Sequence, residues 1–238
     1  RQPEARFHIA RCRAGQGRHA EAVEACKGAL ALDPRHAGAL TLKGISEEAL
    51  GDRDQALQSL GRSLGIDPEQ PEAWHHRGSV LLALDRFPEA LDALDRSLAL
   101  APGNAEVLYR KGLACLALWY RERAAGALAG ALELAPGNAD AGFRRGSALA
   151  GLGRHDEAIR DLDRSLSLDP GNPSVWMETG LAPQALGHPP GAAEACRASI
   201  DADPSRSRPW LLLGVAARLS NRMGEALSAL DRATRIDA

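Results

Sequence analysis

The sequence predicts an all-α fold built from helix–turn–helix copies of 34 residues, and three columns of residues in phase predict it. Pro34, Pro68, Pro102, Pro136, Pro170 and Pro204 stand 34 residues apart. Ala22, Ala56, Ala90, Ala124, Ala158, Ala192 and Ala226 keep the same spacing. Gly44, Gly78, Gly112, Gly146, Gly180 and Gly214 form the third column, with Ala10 in their place in the first copy. Self-similarity at this period marks a repeat architecture of helix pairs. The length, 238 residues, hints at the same period because it is seven times 34. Hydrophobic residues make up 45% and charged residues 25%, the balance of an ordinary soluble chain. Aromatics are only 4%. Small side chains, rather than bulky ones, are therefore left to pack the helix crossings.

Each element of a copy follows from its residues. In the first helix, glycine sits mid-helix despite a cost of about 1 kcal/mol, because a residue without Cβ lets the neighbouring helix come close. A tight turn such as Gly151-Leu152-Gly153-Arg154 then joins the two helices. The second helix opens near the alanine column, where a larger side chain would push the pair apart. It continues with helical apolar spacing, as in Leu91, Leu94, Leu98 and Leu100. Proline stops it, since proline cannot continue the hydrogen-bond ladder. Gly103-Asn104, Gly137-Asn138 and Gly171-Asn172 turn the chain into the next copy.

On these residues the chain resembles the tetratricopeptide repeat family along essentially its whole length. The pattern reads Trp74, Gly78, Leu81, Ala90, Leu94, Ser97 and Pro102, and recurs in Trp176, Gly180, Ala192, Cys196, Ser199 and Pro204. Trp210, Gly214, Ala226 and Leu230 repeat it again. The copies frame as 3–36, 37–70, 71–104, 105–138, 139–172, 173–206 and a shortened 207–238, together one solenoid over 3–238. The resemblance implies antiparallel helix pairs stacked into a right-handed superhelix with a concave groove.

Two copies depart from the pattern. One has Trp119-Tyr120 where other copies place a glycine-containing turn, so an altered connection is expected there. Another carries Pro183 inside its first helix and His188-Pro189-Pro190 in its turn. A mid-helix proline costs about 3 kcal/mol, and the expectation is a local kink, with a hinge as the sharper alternative.

Catalytic and metal chemistry find no support in the sequence. Gly61-Arg62-Ser63-Leu64-Gly65 matches a hydrolase string, but it falls in a second helix rather than on the strand-to-helix elbow that chemistry needs. Ser63 shares a small-residue column with Ser97, Ser165, Ser199, Ala29, Ala131 and Ala233. His75 and His76 are adjacent and point about 100° apart on a helix, so they do not share a metal. Cys26 and Cys196 replace Leu60, Leu94, Leu128, Leu162 and Leu230 in a core column. Trp74, Trp176 and Trp210 form a packing column. Cys12, Cys26, Cys115 and Cys196 show neither CxxC pairing nor ligand spacing, which favours a reduced, cytoplasmic setting. A net charge of −2 removes the electrostatic case for nucleic acid, and no apolar run reaches the length of a membrane span. No cofactor is expected. The chain opens Arg-Gln-Pro-Glu and ends at Asp237-Ala238. It reads as a piece trimmed from a longer protein.

The resemblance also implies which positions face the groove: the second, fifth, sixth, ninth and twelfth of each copy. The sixth holds His76, Arg110 and Arg144, and the second holds Glu72, Glu106 and Asp140 four residues earlier. Such i,i+4 pairs are worth about 0.2–0.5 kcal/mol each and occupy the basic heads, which favours a solvated ladder over an anion clamp. The family's carboxylate clamp and asparagine ladder lack their residues here. What remains is an apolar strip of Tyr109, Phe143, Met177 and Leu211 at the fifth position. Leu113, Leu181 and Val215 add to it from the ninth, and Leu82 and Leu116 from the twelfth.

The expected function is a non-enzymatic scaffold that holds a peptide or protein segment in this groove. Tyr109→Ala with Phe143→Ala is expected to abolish binding and leave helicity intact. The alternatives are a homo-oligomer stacked through uncapped end copies, and a substrate-recognition arm of a larger enzyme.

Overall fold

The computed structural model describes residues 2–169, 175 and 189–236. Among the described residues there are thirteen helices and no strand. The chain divides into two compact units, Arg1–Tyr120 and Arg121–Ala238.

The first unit holds α1 (Gln2–Gly15), α2 (His19–Leu30), α3 (Ala37–Leu50), α4 (Arg53–Ile66), α5 (Pro71–Ala83), α6 (Phe87–Leu100) and α7 (Ala105–Ala117). Helices pack in the pairs α1/α2, α3/α4 and α5/α6, and each second helix packs on the first helix of the next copy. The first helices of neighbouring copies also touch, α1 on α3, α3 on α5 and α5 on α7. Each pair runs antiparallel: Thr41 meets Ser63, Gly44 faces Leu60, and Glu47 meets Ser59, so the numbers rise along α3 as they fall along α4. The second unit holds α8 (Arg121–Leu134), α9 (Ala139–Ala150), α10 (His155–Leu168), α11 (Pro189–Ala202), α12 (Ser207–Leu219) and α13 (Met223–Ile236). There α9/α10 and α12/α13 pair, α8 packs on α9, and α11 on α12.

The columns act as their chemistry implies. A Cβ added at Gly44 would lie 2.6 Å from Leu60 Cγ and 3.2 Å from the Ala56 carbonyl oxygen. At Gly146 it would lie 2.8 Å from Leu162 Cγ and 3.2 Å from the Ala158 oxygen. Glycine is thus required by the closeness of the two helices. Leu60, Leu94 and Leu162 are buried against this gap, and Leu128, Cys26 and Cys196 are equally buried in the same column. Burial pushes the Cys26 thiol up to about 12 and Cys196 to about 11, so both are inert packing groups. The serine column has a second job beyond small size. Ser63, Ser97 and Ser165 each donate at 2.8 Å to a backbone carbonyl in the first turn of the partner helix, those of Ala37, Pro71 and Ala139.

Connections are as regular as the helices. Gly17, Gly51, Asp85, Trp119, Gly153 and Asn221 all have positive φ, between 57° and 85°, and share one position of the repeat. The altered connection expected at Trp119-Tyr120 is not found. Tyr120 N donates to Cys115 O at 2.8 Å, as Arg86 N does to Leu81 O and Arg154 N to Leu149 O at 2.9 Å. The backbone motif is strong enough to hold a bulky side chain in a conformation that suits glycine. Before the first helices, Asn104 Oδ1 accepts from the Glu106 and Val107 amides, and Asn138 Oδ1 accepts from the Ala141 amide. The Gly-Asn turn therefore also supplies the helix cap. Pro183 and the expected kink or hinge lie outside the described residues.

Candidate functional site

In the first unit, one cavity of about 380 Å³ opens on the first helices α1, α3 and α5. Its walls are Phe7, Leu42 and Ile45, each half-buried. Gly38 and the buried Thr41 contribute from α3, and Gln70 from the loop before α5. Gly38 stands at the second repeat position, where Glu4, Glu72, Glu106 and Asp140 stand in other copies. A Cβ there would come within 3.3 Å of Phe7 Cζ, so the absence of a side chain at Gly38 lets that ring lie close against α3.

Polar groups beneath the cavity are satisfied. Thr41 Oγ1 lies 2.8 Å from both Ser63 Oγ and Gln70 Oε1, and Gln70 Nε2 donates to the Asp67 carbonyl at 2.8 Å. The Phe7 ring is braced by the His36 ring, with centroids 4.8 Å apart, and His36 Nδ1 accepts from the Ala39 amide. The Arg11 guanidinium sits 5.9 Å from the Phe7 ring centroid, at the cavity edge. Glu72 occupies another part of that edge.

Further along the same unit lie four of the residues singled out from sequence: His76, Tyr109, Arg110 and Leu113. Arg110 Nε is 2.7 Å from Glu106 Oε1, the expected i,i+4 pair. The expected Glu72–His76 pair is not formed. His76 Nδ1 instead meets Glu48 Oε2 of the preceding copy at 2.6 Å. Stacked first helices bring the twelfth position of one copy beside the sixth of the next, and that approach outcompetes the neighbour on the same helix. Next to it, burial and then the charges of His76 and Arg110 push His75 down to about 4, against weaker opposing effects of Glu106 and Glu48. Tyr109 and Leu113 are half-buried.

In the second unit, Arg144 Nε is 2.5 Å from Asp140 Oδ2, again the expected pair. Phe143 packs against Leu162, Leu166 and Val175, so much of its ring serves the core. Leu211 on α12 is 48% exposed. Met177 and Leu181 lie outside the described residues. The tryptophan column is structural: Trp74 Nε1 donates to the Pro68 oxygen at 2.9 Å and Trp210 Nε1 to the Pro204 oxygen at 3.1 Å. Among the described residues no three His, Cys, Asp or Glu side chains converge on a possible metal site, and no helix is long and apolar enough to cross a membrane.

Sequence reasoning placed the apolar strip in the later copies and missed Phe7, Arg11, Leu42 and Ile45 as a group. The exchange of a charged residue for Gly38 at the second position was the available signal.

Comparison with known proteins agrees with the helix-pair architecture. The tetratricopeptide repeat profile matches residues 1–37, 41–105, 76–118, 120–173 and 178–238. No curated protein sequence is significantly similar to the chain. Among solved structures, the peptide-binding tetratricopeptide repeat protein YrrB is 22% identical, with a TM-score of 0.75 over 79% of this chain and 96% of its own. MamA of strain AMB-1 is 27% identical, with a TM-score of 0.67 over 72% of this chain and 94% of its own. A tetratricopeptide repeat protein from Parabacteroides merdae ATCC 43184 is 18% identical, with a TM-score of 0.65 over 100% of this chain and 94% of its own. Columns, helix pairs and profile agree: the chain belongs to the tetratricopeptide repeat family.

Proposed function

We propose that the protein is a non-enzymatic interaction scaffold in which residues 3–238 act as one solenoid and hold a peptide or protein segment along the first helices. One observation carries the reading: first-helix side chains of three copies line a single cavity with apolar walls and charged edges. Apolar anchors set among a few polar groups are what an extended segment needs. The description of YrrB as peptide-binding is consistent with this use of the fold. The residues Tyr109, Leu113, Phe143, Met177, Leu181 and Leu211, with His76, Arg110 and Arg144, belong to the same proposal as candidate contacts for the segment.

The test is a double substitution. Because Phe143 packs into the core, Phe143→Ala loosens the second unit as well as any groove. Tyr109→Ala with Leu211→Ala is the cleaner pair. Partner binding should fall at least tenfold while far-ultraviolet circular dichroism stays unchanged; unchanged affinity removes the strip from the site. A reduced, cytoplasmic setting belongs to the same proposal, supported by four free thiols. Self-association is the second reading, favoured by Met223 and the strongly exposed Leu227 on α13. Sedimentation that does not change with concentration would end it.

A further inference from the structure

From the cavity on α1, α3 and α5 we infer the kind of segment this groove takes: an apolar side chain flanked by a carboxylate on one side and a cation on the other. The inference rests on the scaffold reading and specifies it.

The walls explain the apolar part, since Phe7, Leu42 and Ile45 line the cavity and Gly38 lets the Phe7 ring close onto α3. The edges explain the charges. Arg110 and Arg144 are neutralised by Glu106 and Asp140 on their own helices. Arg11 is different: among the described residues no carboxylate pairs with it, and its recorded contact is the face of Phe7. Glu4, on the same helix, lies 3.3 Å from His36 instead. Glu72 likewise has no ion-pair or hydrogen-bond partner among the described residues, because His76 has gone to Glu48. The cavity therefore presents one unneutralised guanidinium and one unneutralised carboxylate on different helices. An occupant of one sign satisfies one edge and is repelled by the other.

Spacing makes the occupant a chain segment rather than a small zwitterion. Arg11 is on α1 and Glu72 on α5, with α3 between them. Packed helices lie about 8–10 Å apart, so two such steps separate the bases of these side chains by roughly 16–20 Å. Allowing for the reach of both side chains, an extended segment rising about 3.3 Å per residue would carry its acid and base about three to five residues apart. The apolar side chain sits between them.

The test uses the full chain and end-blocked, fluorescein-labelled ten-residue peptides containing Glu and Lys four residues apart around a central Leu. Companion peptides carry Glu/Glu, Lys/Lys or Gln/Gln at the flanks, or Ser in place of Leu. Fluorescence anisotropy should show the Glu–Leu–Lys peptide binding about threefold to tenfold more tightly than each companion, the range set by partly solvated charged contacts. Arg11→Glu should transfer the preference to Lys–Leu–Lys, and Glu72→Lys should transfer it to Glu–Leu–Glu. Both residues are exposed, so neither substitution endangers the fold. Equal affinity across the flanking charges, or a preference unmoved by both substitutions, overturns the inference and leaves the scaffold reading standing. Absence of binding by every peptide at millimolar concentration also overturns it, and the Tyr109→Ala with Leu211→Ala experiment judges the scaffold reading separately.

Discussion

At the residue scale, glycine is used for two opposite reasons, and substitution separates them. Gly146 faces Leu162 and the Ala158 carbonyl across the helix crossing, so Gly146→Ala should lower stability by about 1–3 kcal/mol despite alanine's better helix propensity. Gly126 is an exposed residue within α8, and an added Cβ would meet nothing within 4 Å. Gly126→Ala should therefore raise stability by about 0.5–1 kcal/mol. Thermal melts of the two variants should move in opposite directions. His75 makes the molecule sensitive to acid. Its pKa of about 4 in the fold lies below the ordinary 6.5, so the unfolded chain binds the extra proton first. The stability it supports is present above about pH 6.5 and is lost as pH falls toward 4. A urea midpoint that declines across that window, and declines less in His75→Leu, is the expected result. The columns of glycine, alanine and proline were legible in the sequence because each is fixed by a contact that recurs in every copy. The Glu48–His76 pair was not, because it depends on how neighbouring copies stack, which the i,i+4 pattern of one helix does not encode.

At the scale of elements, turns and caps hold the repeat in register. Asn104 caps α7 through two backbone amides, and Asn104→Ala should cost about 1 kcal/mol. Trp119 carries the left-handed position of its turn with φ 61° and is 74% exposed. A non-glycine residue there bears about 1–2 kcal/mol of strain. Trp119→Gly should therefore stabilise the protein by about 1 kcal/mol, read as a rise in the melting temperature. The aromatic pair in that turn had pointed to a different connection. The connection is unaltered because the backbone bonds that close the turn are the same in every described copy and set its path whichever side chain stands there.

At the scale of the whole molecule, the fold was nearly all readable, since a period of 34 with three columns in phase admits few architectures. The site was only partly readable. Which first-helix side chains are spent on packing is decided by neighbouring copies: Phe143 is drawn toward Leu162, Leu166 and Val175, whereas Phe7 lines open space. No spacing rule separates those two phenylalanines, which occupy the same repeat position. The central claim, that the first helices hold an extended segment, is tested most directly by one titration. A twelve-residue peptide selected from a random display library on the wild-type protein would be titrated calorimetrically into wild type, Ile45→Arg and Arg62→Glu. Ile45 lines the cavity on α3, and Arg62 is exposed on the second helix α4. A loss of at least tenfold in Ile45→Arg with no change in Arg62→Glu is the predicted result, and equal affinity in all three proteins would contradict the account.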